Sequence, residues 1–165
     1  MTSRRSTAPV ARALLLPLAL TLLSPTVHAD RMPSVPPLQA YQQECASCHL
    51  AYAPGFLPAA SWQRLMGQLS QHFGTDASLD AASQTSIAGW LQSHAGTYKR
   101  VTDTPAPQDR ITLSPWFVRK HREVAAEVWK RPAVKSAANC SACHPQAEQG
   151  RFNEHEIRLP GGNKR

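Results

Sequence analysis

Cys45-Ala46-Ser47-Cys48-His49 and Cys140-Ser141-Ala142-Cys143-His144 share one pattern, C-x-x-C-H, and together use all four cysteines of the chain. Cysteines three residues apart lie on one face of a helical turn, so two sulfurs can reach the two vinyl groups of one porphyrin. The histidine that follows each pair can then swing beneath the ring as the proximal ligand to iron. Small residues between the cysteines let the backbone approach the haem edge. A pair of C-x-x-C disulfides, or one zinc bound by four thiolates, would account for the cysteines and leave both histidines unexplained. Two covalently attached haems c are therefore expected, on Cys45 and Cys48 with His49, and on Cys140 and Cys143 with His144.

Working outward, Arg4, Arg5 and Arg12 precede an apolar run from Ala13 to Leu23, and Val27-His28-Ala29 closes the segment. That is the layout of a secretory signal peptide over residues 1–29, cleaved after Ala29, which places the mature chain in the periplasm. The apolar run is short of the roughly 20 residues that span a bilayer, and Pro17 interrupts it. No integral membrane segment is expected in the mature chain. Residues 30–165 suffice for one domain or two very small ones and exclude a large enzyme. Three of the net +7 charges belong to the leader. Four haem propionates would bring the rest near neutrality, so the basic balance does not point to nucleic acid.

The remaining pattern is helical, and alternation of apolar and polar residues never persists, which predicts an all-α fold with much loop. Pro36-Pro37 opens a short helix ending in the first motif. Ser61 is expected to cap a helix with Trp62, Leu65, Met66, Leu69, His72 and Phe73 on one face, ended by Gly74. Another helix, started by Asp76 or Ser78, carries Leu79, Ile87, Trp90 and Leu91. Residues 97–113, with Pro105 and Pro107, read as a linker between a first haem domain, 30–96, and a second haem region, 114–165. There Ser114 and Pro115 open a helix with Phe117, His121, Val124, Ala125 and Val128 on one face, stopping before Pro132, and Asn139 is placed to cap the second motif.

Each iron has a sixth position. His72 is the candidate distal ligand of the first haem, with Met66 and His94 as rivals. His121 is the candidate for the second, because a histidine among apolar residues needs a partner for its ring nitrogens; His155 is its rival.

With the two motifs, His72-Phe73-Gly74-Thr75-Asp76-Ala77-Ser78-Leu79 and the stretch from Asn139 to Phe152, the chain resembles the small dihaem cytochromes c of proteobacteria, from about Leu38 to Pro160. Its first half is also similar to class I cytochrome c, with Trp90 as the aromatic of the closing helix. It departs from that class where a methionine ligand would stand and has His72 instead. The resemblance implies two bis-histidine haems of low potential. It further implies a monomeric electron carrier, supplied by a membrane cytochrome b and delivering to a small oxygen-binding monohaem cytochrome c. A dihaem peroxidase, another dihaem oxidoreductase or a haem-based gas-binding module would instead need an open iron site.

Overall fold

The computed structural model describes residues 34–162; the expected leader lies outside them. Five α-helices and several single 3-10 turns are joined by long loops in the described residues, which contain no β-strand. The helices are α1 (Gln39–Cys45), α2 (Ala59–Gly67), α3 (Ala81–Ser93), α4 (Pro115–Lys120) and α5 (Ala126–Trp129). No helix among the described residues is long and apolar enough to cross a membrane.

In the first half, α2 and α1 both pack on α3. Tyr41, Leu57, Trp62, Met66, Ile87 and Leu91 form the buried core between them. Trp90 of α3 lies against Tyr41 of α1 with ring centres 5.0 Å apart, fixing the helix that delivers the first motif. Asp80 caps α3 by accepting from the backbone N–H groups of Ala82 and Ser83. The start expected at Asp76 or Ser78 is thus displaced to Ala81. Asp76 instead closes a turn by accepting from the Ser78 N–H.

The helix expected over Ser61 to Phe73 is broken. It starts at Ala59 and stops at Gly67, and a 3-10 turn (Leu69–Gln71) follows. The Gln84 side chain donates to the Met66 carbonyl (2.6 Å) and the Ala77 N–H to the Leu69 carbonyl (2.9 Å). Acceptors that would have continued the helical ladder are turned toward α3 and the following loop instead. His72 therefore caps a tight turn rather than riding a helix face.

The second half is built on a different cluster. Phe56, Tyr98, Trp116 and Phe117 are buried together, with Phe152 and Trp129 at the margin. Phe56, from the 3-10 turn Pro54–Phe56, meets Trp116 at 5.1 Å and Phe152 at 5.4 Å between ring centres. Such pairs contribute about 0.5–1.5 kcal/mol each beyond burial. The stretch 97–113 contributes buried Tyr98 and Ala106 to the interior. Ser114 caps α4 as expected, with Pro115 at the first helical position. The helix ends at Lys120, however, so Val124 and Ala125 lie beyond it and Val128 is buried from α5. Asn139 does not cap the second motif; its side chain donates to the Val134 carbonyl.

Candidate haem sites

Cys45 closes α1, so Cys48 and His49 follow on the turn beyond it, while Cys140 opens a 3-10 turn (Cys140–Ala142) leading to Cys143 and His144. No disulfide joins any of the four cysteines. Burial pushes the Cys45 and Cys140 thiols up to about 11, with Glu44 adding to the effect at Cys45.

Each motif histidine has a second histidine ring centred about 6 Å from its own. His49 and His72 have ring centres 6.0 Å apart with planes 21° from parallel. His121 and His144 have ring centres 6.2 Å apart with planes nearly perpendicular, at 84°. A metal–imidazole bond is about 2 Å and the ring adds about 1 Å to its centre, so two imidazoles on opposite sides of one ion should sit about 6 Å apart. Both pairs meet that spacing, so the residues present fit two iron centres.

The second ring nitrogens support the same fit. His49 Nδ1 lies 2.7 Å from the Leu50 carbonyl, and His121 Nδ1 lies 2.9 Å from the Phe117 carbonyl. A carbonyl can only accept, so Nδ1 carries the proton in both rings and Nε2 keeps its lone pair for a metal. Burial lowers the pKa of His72, and His49 and Arg110 lower it further. Burial also lowers that of His121, partly opposed by the Phe117 carbonyl, and that of His144, assisted by His121. The neutral imidazole so favoured is the ligating form.

His72 is presented by strained backbone. Phe73 has φ 50° and Gly74 φ 94°, and the two reverse the chain so that the Thr75 N–H reaches the His72 carbonyl at 3.1 Å. Arg110 holds its guanidinium 4.1 Å above the Phe73 ring, which packs on His72 with ring centres 4.9 Å apart. His121 ends α4, and its ring stacks on Phe117 at 4.0 Å with Trp129 at 5.8 Å.

The rivals are placed elsewhere. Met66 is buried in the core between α2 and α3. His94 follows α3 and packs its ring on Trp90 with ring centres 5.4 Å apart, its ring contacts being with Trp90 and not with a motif histidine. His155 is exposed.

The family profile described as dihaem cytochrome c matches residues 41–152, from α1 through both motifs to Phe152. This chain belongs to the dihaem cytochrome c family. A dihaem cytochrome of this family carries two covalently bound haems c, so the four cysteines have their partners. Among solved structures, a diheme cytochrome c from Shewanella baltica OS155 is 36% identical, with a TM-score of 0.67, covering 77% of this chain and 96% of that one. The DHC purified from Rhodobacter sphaeroides is 40% identical, with a TM-score of 0.59, covering 72% of this chain and all of that one. A second structure of diheme cytochrome c from Rhodobacter sphaeroides is 40% identical, with a TM-score of 0.61, over 68% of this chain and 94% of that one. No curated protein matches the sequence.

Tyr52 was not among the residues singled out by sequence. It stacks on His49 with ring centres 5.0 Å apart and planes at 23°. It lies in the connection between α1 and α2, and its one sequence cue is proximity, three residues after His49.

Proposed function

We propose that this dihaem cytochrome is a periplasmic electron carrier whose two irons are both closed by histidine. His49 and His72 hold the first, and His144 and His121 the second. One observation carries the reading: each motif histidine has a second histidine ring at the spacing of two ligands to one metal. Each haem, when bound, supplies an iron that alternates between ferric and ferrous states by one electron. Cys45 and Cys48, and Cys140 and Cys143, fasten the two groups. The paired imidazoles would hold each iron between them and keep water and small ligands off it. Two imidazoles also favour a lower potential than a histidine–methionine pair. Buried Met66 fits core packing better than ligation. The leader-like segment at residues 1–29 supports export.

The test is the absorption spectrum of the reduced holoprotein with and without carbon monoxide. Closed sites give no change; a spectral shift in the unmodified protein would transfer the reading to an open-site enzyme or gas-binding module.

For docking, the stretch from Arg119 to Lys135 supplies a basic face. Lys120 is paired with Glu154 at 2.7 Å, and Arg131 Nη1 donates to the Pro160 carbonyl. Arg119, Arg122, Lys130 and Lys135 are exposed. Such a face steers an acidic redox protein, in keeping with a small monohaem cytochrome c or a membrane cytochrome b as partners. The bimolecular electron-transfer rate with an acidic partner should fall as ionic strength rises toward physiological values, where the screening length is about 8 Å. A rate indifferent to salt would return these residues to an ordinary solvated surface.

A further inference from the structure

One side chain has partners at both sites. Tyr52 packs against both hydrophobic clusters, that of the first half and the aromatic one of the second. Its ring stacks on His49. At the far end of the same ring the hydroxyl donates to the Ala138 carbonyl at 2.7 Å, across 86 residues of chain. Cys140 Sγ lies 3.7 Å from that same carbonyl oxygen. The backbone of Tyr52 is fixed in turn, because the buried Tyr41 hydroxyl donates to the Tyr52 carbonyl at 2.7 Å. The ring of a proposed iron ligand of one site thus stacks on the phenol whose hydroxyl is bonded to the carbonyl beside an attachment sulfur of the other.

We propose that Tyr52 is the bridge through which the two haem sites exchange electrons. Electronic coupling falls steeply across empty space and slowly across bonded or tightly packed atoms. The stack on His49, the ring, the hydrogen bond to Ala138 and the two residues leading to Cys140 form a continuous packed and bonded route. With both haems bound, the transfer would move one electron from the reduced site to the oxidised one, so that one site would be oxidised as the other is reduced. Tyr52 keeps its proton and is neither oxidised nor reduced; it is a positioning residue for the transfer. The inference rests on the electron-carrier reading, and it deepens that reading by assigning the internal step to one residue.

The experiment is flash photoreduction of the oxidised holoprotein, following the concentration-independent phase in which the two haems equilibrate. Tyr52→Phe keeps the ring and loses the hydrogen bond, and should slow that phase several-fold. Tyr52→Leu loses both contacts and should slow it tenfold or more. Absorption spectra should still report two low-spin haems in both variants. Tyr98→Phe, altered in the same aromatic cluster but away from both histidine pairs, should keep the wild-type rate. Unchanged equilibration in Tyr52→Phe with intact spectra would overturn the proposal, as would equal slowing in Tyr98→Phe. Should Tyr52→Leu fail to mature, Tyr52→Phe decides alone. Failure of the underlying reading would look different: the unmodified protein would show no reversible one-electron reduction at its two sites.

Discussion

Replacing His121 with alanine should convert one haem of the two to a high-spin, carbon-monoxide-binding form and leave the other unchanged. The position of the ring gives the reason. Ser114 and Pro115 start α4, and the helix ends where the His121 ring can stack on Phe117 and donate from Nδ1 to the Phe117 carbonyl. Alanine removes the imidazole 6.2 Å from His144 without disturbing the cap or the buried Trp116, whose indole N–H donates to the Phe56 carbonyl. His49 and His72 are held by other elements and keep their spacing. The expected readout is one carbon monoxide bound per protein, against none for the parent. Retention of two low-spin haems in His121→Ala would move the ligand to His155, His94 or Met66. It would also undo the assignment of one histidine pair to each half of the chain.

Much of this arrangement is legible in the sequence because its chemistry is local. C-x-x-C-H sets both sulfurs and the proximal histidine within one or two turns, and no tertiary contact is needed to recognise it. His72 and His121 stand out as histidines embedded in apolar surroundings. The helical period was a poorer guide to where helices stop. The apolar spacing of Trp62 to Phe73 continues through Gly67, but glycine weakens the helix there, and the Gln84 side chain takes the Met66 carbonyl from another element. Likewise Val124 and Val128 keep step with Phe117 although Lys120 ends the helix, since α4 and α5 share a core without sharing an axis.

Tyr98 and Tyr52 mark the other boundary of what sequence reveals. Each lies in a stretch without periodicity, and each owes its role to partners far along the chain. Tyr98 meets Trp116 at 5.0 Å between ring centres, and Tyr52 reaches Ala138. Such pairings leave no local pattern to detect.

The second large effect is spectroscopic and comes from the ring planes. When two axial imidazoles are nearly parallel, their π orbitals act on the same iron d orbital and split it from its neighbour, which gives a rhombic low-spin ferric signal. When the rings are crossed, each acts on a different d orbital and the pair stays nearly degenerate, so the signal becomes strongly anisotropic. His49 and His72 lie 21° from parallel, whereas His121 and His144 cross at 84°. The two haems should thus be distinguishable in one sample. Low-temperature electron paramagnetic resonance of the oxidised holoprotein tests bis-histidine closure of both irons most directly. Two low-spin signals accounting for equal numbers of spins are expected, one rhombic and one strongly anisotropic, with no high-spin component. A high-spin signal amounting to one haem per protein would contradict that closure.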